Sequence, residues 1–133
     1  MATNTIMLLE LKNGVAEFPF PRALKIDNNK SNISCHALIT TSRENRVGFI
    51  VSNASYYRVN ESKGYKFNIL ETFDCTSQMG NKIHKFNGKL KAPLNRIHES
   101  IQVYTMDEHY KLMDMDGFLI IELSGAVQIG ALI

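Results

Sequence analysis

The stretch Phe118–Leu123 (FLIIEL), entered through Asp116-Gly117, constrains the fold more than any other segment of the chain. Asp-Gly tolerates the positive φ angles of a two-residue type I′ turn, and apolar runs flank it. Folding about that turn would pair Met115 with Phe118, Met113 with Ile120, Lys111 with Glu122 and Tyr110 with Leu123. The Lys111–Glu122 pair would set opposite charges across the ladder. Phe118 and Ile120 form one face of the stretch; Leu119, Ile121 and Leu123 form the other. A half-exposed hairpin alternates apolar with polar, so two apolar faces predict a central strand buried on both sides. Ser124-Gly125 offers a second tight turn into Ala126–Ile133, an uncharged final strand. A buried helical hairpin is the competing reading, and Gly117, Gly125 and Gly130 argue against it.

Other segments repeat the pattern of short runs and turn dipeptides. Thr5–Lys12 and Val15–Phe20 flank Asn13-Gly14, and the type I′ register gathers Met7, Leu9 and Leu11 with Ala16, Phe18 and Phe20. It also sets Glu10 against Glu17. Pro19 and Pro21 place the second run at a sheet edge, because proline donates no ladder hydrogen bond. In Ile33–Thr41 the expected inward residues are Ile33, Cys35, Ala37 and Ile39, with Ser34, His36 and Thr40 outward. Asn53-Ala54-Ser55 should separate Val47–Ser52 from Tyr56–Val59. Tyr65, Phe67, Ile69, Glu71 and Phe73 should share a face. A third dipeptide hairpin is expected at Asn87-Gly88, a helical turn over Asn95–Ser100, and a strand over Ile101–Met106. Nine or ten short strands with almost no helix predict one all-β domain over residues 1–133, a β-sandwich of jelly-roll or immunoglobulin-like kind, or a small barrel.

A chain of 133 residues is long enough to bury a core without staples. Its net charge of +2 selects no partner, but charge is unevenly spread. Residues 75–98 hold five cations and no carboxylate, while residues 99–133 hold one cation against six acids. Such asymmetry marks either an anionic partner or segments that neutralise each other in the fold. Cys35 and Cys75 make no disulfide framework and are expected as reduced, half-buried thiols. The start of the sequence lacks a cationic signal region, and no window reaches the ~18 apolar residues of a membrane span. The expectation is a soluble protein made in a cytoplasm, whose sequons (Asn29, Asn32, Asn53, Asn60) are incidental to an Asn-rich composition.

Local motifs for chemistry are absent. His36, His84, His98 and His109 show no HxH or HxxxH spacing and the cysteines no CxxC, so no metal site is written locally. There is no GxSxG elbow, phosphate loop or dinucleotide fingerprint. Asp114–Gly117 resembles the start of a calcium loop but lacks the remaining ligand positions. No cofactor and no catalytic residue are expected. The one candidate constellation is the Asn87 hairpin, where His84, Phe86, Lys89 and Lys91 share a face and Lys85 lies opposite. Cations that track phosphates around a ring that stacks on bases suit single-stranded nucleic acid. Lysines that discourage edge pairing explain the same residues, and the small net charge favours that plainer account.

The leading expectation is a non-enzymatic structural or assembly module, self-associating through its uncharged C-terminal strand (Val127, Ile129, Leu132, Ile133). A virion component such as a capsid, fibre-head or decoration protein, bound to other virion proteins, is one such object. The runner-up is a single-strand nucleic-acid-binding β-barrel using His84, Lys85, Phe86, Lys89 and Lys91. A sandwich-type hydrolase or sugar-binding domain has no residues to name.

Overall fold

A computed structural model describes residues 2–19, 24–25, 30–41, 45–60, 64–76, 82–87, 90–94 and 100–128. They form ten strands: β1 (Ala2–Leu11), β2 (Val15–Pro19), β3 (Leu24–Lys25), β4 (Asn32–Thr40), β5 (Val47–Asn60), β6 (Gly64–Asp74), β7 (Lys82–Lys85), β8 (Ala92–Pro93), β9 (Ser100–Asp107) and β10 (Gly117–Gln128). The strands make two antiparallel sheets. One is ordered β1-β10-β4-β7, with β3 added to β10 and β8 to β4; the other is ordered β2-β9-β5-β6. The chain is an all-β sandwich, as its turn spacing predicts. Among the described residues no helix is long and apolar enough to cross a membrane.

The pairing is nested. β5 pairs with β6, β4 with β7, β2 with β9 and β1 with β10. The chain is thus a long double ribbon closed between β5 and β6, and successive ribbon segments fall alternately in the two sheets. Side chains alternate along each strand, so one set from each sheet meets in the middle. The first sheet contributes Leu9, Leu11, Ile33, Cys35, Leu38, Leu119, Ile121 and Leu123; the second contributes Ala16, Phe18, Ile50, Leu70, Phe73, Ile101 and Val103. Each fully buried Leu or Ile stabilises the fold by about 1.5–3 kcal/mol relative to exposure.

The Asn13-Gly14 turn forms as expected, with φ of 52° and 84° and reciprocal Lys12–Val15 backbone bonds of 2.9 and 3.0 Å. Beyond that pair β1 and β2 diverge into different sheets. Glu10 therefore lies opposite Phe118 and Glu17 opposite Gln102, and the expected carboxylate clash does not arise. Pro19 ends β2, an edge strand.

Asp116-Gly117 does not make a hairpin. The Asp107 carboxylate accepts from the backbone N–H groups of His109 (2.8 Å) and Lys111 (3.0 Å), closing a loop directly after β9. The following segment folds back on β9, with Met113 N–H donating to Thr105 O at 2.9 Å. Met113 and Met115 are fully buried there. Both edges of β10 are already taken by β1 and β4, so Lys111 never reaches Glu122. Gly117 instead carries the chain between sheets at φ 150°, and a Cβ there would lie 2.0 Å from Ile39 O.

Ser124-Gly125 is likewise a kink within β10 and no reversal. Gly125 (φ 74°) sits so close to Lys30 that a Cβ would lie 2.2 Å from its carbonyl oxygen. Around it β10 leaves β4 at Ser124–Asn32 and takes up β3 at Val127–Lys25. The expected Asn53 turn is absent because β5 runs unbroken through it. There Asn53 Oδ1 accepts from Gln102 N–H (2.9 Å) and the Ser52 hydroxyl donates to Gln102 O (2.8 Å), holding the bulged segment against β9.

Two bulges invert expected faces. In β4, Ile121 pairs with Cys35 but Ile120 pairs with Ala37, which leaves His36 as an extra residue. One inserted residue turns every later side chain to the opposite face. Leu38 and Thr40 are therefore buried, while Ala37 and Ile39 point outward. In β6, Ile50 pairs with Glu71 and Val51 with Ile69, so Leu70 is the extra residue. Phe67 and Ile69 are exposed while Glu71 and Phe73 are buried.

Candidate functional site

The bulge at His36 gives the six-stranded sheet an outer face unlike that of an ordinary solvated sheet. Ladder register lines up two rows across it. One runs Glu10–Phe118–Ile39–Ile83 and the other Leu8–Ile120–Ala37–Lys85. Ile6 extends the surface along β1, opposite Glu122. Ile6 and Leu8 are each 65% exposed, Ile83 64% and Phe118 43%; Ile39, Ala37 and Ile120 are half-buried. Single exposed apolar residues are ordinary, but a contiguous group in register on neighbouring strands marks an interaction surface.

The expectation that β10 is central therefore holds for its pairing and fails for its burial. Leu119, Ile121 and Leu123 are fully covered. Phe118 and Ile120 face outward, because no layer among the described residues lies over that side.

Charges sit around this apolar centre in an ordered way. Glu10 is exposed on β1 and Lys85 on β7, at opposite margins. At one end His36 Nε2 meets Glu122 Oε1 at 2.7 Å. The arrangement offers an apolar platform with Glu10 at one margin, Lys85 at the other and one polar pair at an end.

The basic-aromatic residues do not gather on one surface. The Asn87-Gly88 hairpin is absent, since β7 and β8 lie end to end along the same edge of β4. Lys85 faces outward beside Ala37. His84 lies opposite the buried Leu38, its ring 5.7 Å from that of Phe73 and its Nε2 3.5 Å from Cys75 Sγ. Phe86 is half-buried against the core, and its N–H donates to His36 O at 2.9 Å. Lys91 is exposed beside a shallow groove of about 160 Å³ between Asn68 and Pro93. Lys89 lies outside the described residues. Of the expected subunit-contact residues, Val127 falls on β10 opposite Ala2 and Lys25; Ile129, Leu132 and Ile133 lie outside the described residues.

The remaining titratable groups are structural in their surroundings. Neither cysteine forms a disulfide, and both are fully buried, more deeply than the half-burial expected. Burial, with a smaller contribution from the Glu71 charge, pushes the Cys35 thiol up to about 12. A thiol so raised is not a nucleophile. Burial also raises the Glu71 carboxyl, opposed by a backbone hydrogen bond from Thr72. Among the described residues no group of three or more His, Cys, Asp or Glu side chains is placed to hold a metal ion.

Sequence reading missed Ile6, Leu8, Ile39 and Ile83. Their signal was present: Ile6–Leu9, like Phe118–Leu123, is apolar on both faces. No known protein family and no curated protein matches this chain.

Proposed function

We propose that the protein is a self-assembling structural module, a jelly-roll sandwich that buries the outer face of its six-stranded sheet against other copies. The nested pairing supports the jelly-roll reading: a double ribbon wound so that β1/β10 and β4/β7 lie in one sheet, β2/β9 and β5/β6 in the other. Jelly rolls recur in capsid and lectin domains, where they act as building blocks and binding platforms. A coat or particle component is the setting this reading favours, although fold alone assigns no function.

The observation that carries the proposal is the row register of Leu8, Ile120, Phe118, Ile39 and Ile83 on an uncovered face. Each Leu or Ile withdrawn from water there contributes about 1.5–3 kcal/mol to association before its costs. Replacing Ile6, Leu8 and Ile83 together by Lys should leave the circular dichroism spectrum unchanged. The same variant should elute as a monomer in light scattering coupled to size exclusion, where the parent elutes as an oligomer. A parent that is monomeric at every concentration, or a variant of unchanged size, would overturn the reading.

A further inference from the structure

We infer that β1 pairs edge to edge with β1 of a second copy, antiparallel about a two-fold axis at Met7, so that two six-stranded sheets join into one. This contact uses the rim of the sheet and not its face, and so goes beyond the assembly reading above.

Ladder phase fixes which backbone groups β1 presents at its outer edge. Phe86 N–H donates to His36 O and Thr41 N–H to Asp116 O, so the backbone groups of Phe118 and Ile120 bond to β4. Successive residues of an antiparallel strand point their N–H and C=O to opposite edges. Those of Leu119, Ile121 and Leu123 therefore bond to Leu9, Met7 and Thr5, and those of Ile6, Leu8 and Glu10 point away from β10. Among the described residues no strand pairs along that edge beyond the Lys12–Val15 turn. The other sheet margins carry features that discourage pairing. β2 has five residues and ends in proline, β7 and β8 have four and two, and β6 is bulged at Leu70. β1 has ten residues, and its Thr5–Leu9 stretch holds no charge and no proline. Such an edge takes up another extended strand, and β1 is complementary to itself. About an axis at Met7, Ile6 pairs with Leu8 of the partner subunit and Leu8 with Ile6 of the partner subunit. Asn4 then lies opposite Glu10, so no like charges meet. An axis at Ile6 would set Leu8 against Asn4, and one at Leu8 would set Ile6 against Glu10, apolar against polar in both cases. The joined sheet carries Ile6 and Leu8 of both copies side by side on its outer face.

The test uses variants of the full chain in sedimentation equilibrium and in cross-linking under mild oxidation. Leu8→Pro removes an N–H that faces away from β10, so the circular dichroism spectrum should be kept. Self-association should weaken by on the order of tenfold, because two hydrogen bonds are lost per dimer. Residues paired across the axis lie about 4.5–5.5 Å apart between Cα atoms, within disulfide reach. Met7→Cys should therefore cross-link to its own copy. Ile6→Cys and Leu8→Cys, more exposed but displaced from their own copies along the strand, should not. A Met7 cross-link together with weakening by Leu8→Pro supports the edge contact, and if Ile83→Lys leaves both unchanged, the edge contact stands without the face contact. A cross-link formed by Ile6→Cys or Leu8→Cys in place of Met7→Cys overturns the register. An oligomer lost with Ile83→Lys, indifferent to Leu8→Pro and never cross-linked at Met7, overturns the edge contact and leaves the assembly reading intact. A chain monomeric at every concentration overturns both.

Discussion

Two carboxylates in this protein are shifted in opposite directions from their ordinary values, and each makes a prediction at the scale of a single residue. Asp107 is held below its ordinary value of 3.8, first by the Lys111 N–H, then by the His109 N–H and the Arg46 guanidinium, against the effect of burial. Arg46 Nη1 donates to Asp107 Oδ2 at 2.6 Å. With the folded value depressed, the stabilisation is present above 3.8 and is lost as pH falls through the lower folded value. Glu71 is raised above 4.5 by burial, so stability is lost as pH rises from 4.5 through the raised value. Urea midpoints measured across pH should therefore show a shallower acid limb in Asp107→Asn. Glu71→Gln should gain most over its parent at neutral pH. A parallel pH profile in either variant would contradict the assignment. Gly117 gives a third expectation at this scale. A methyl group there meets a backbone carbonyl oxygen at 2.0 Å in a left-handed conformation, so Gly117→Ala should cost more than about 1 kcal/mol in chemical denaturation.

At the scale of the element, strands were legible and their phase was not. Alternation in β9 is uninterrupted, with every second residue from Ile101 to Asp107 buried, and sequence reading placed that strand correctly. In β4 and β6 the alternation is broken by single extra residues. Nothing about His36 or Leu70 as residue types announces a bulge, because a bulge is imposed by partner strands and not by the residue that occupies it. The turn dipeptides show the same division. Asn-Gly at 13–14 supplied a true type I′ turn; Asp-Gly at 116–117 supplied the glycine conformation but served a crossing between sheets, because Asp107 had already closed the preceding loop. The inverted phase of β4 can be checked directly. Leu38→Ala, in the core, should cost about 2–5 kcal/mol, whereas Ile39→Ala, on the outer face, should stay near 1 kcal/mol or below in the monomer. Equal losses would mean that the bulge does not set the phase.

At the scale of the whole molecule, the sandwich was legible because turn signals recur at short intervals and helical periodicity is missing. The candidate site was only half legible. Apolar residues on both faces of Phe118–Leu123 and Ile6–Leu9 do not tell which of the two faces the chain itself covers. Sequence reading assumed that Phe118–Leu123 is covered on both. It also looked for subunit contacts at residues 127–133, where lack of charge was conspicuous, and passed over a face assembled from four strands distant in sequence. Glu10, Phe118, Ile39 and Ile83 share one row only because the ribbon is nested, and no local pattern carries that information.

The nested ribbon also fixes how the molecule yields to force. Ala2 lies opposite Val127, and Leu11 opposite Gly117, so a pull applied at Ala2 and Val127 loads the β1–β10 ladder from one end. Its hydrogen bonds then break in succession, as the teeth of a zipper open, instead of sharing the load as they would under shear. In an optical trap this attachment should give gradual yielding at low force, whereas attachment at Leu11 and Val127, which drags β1 along the length of β10, should give abrupt rupture at a higher one. Equal rupture forces from the two attachments would show that the ladder is not the element that resists.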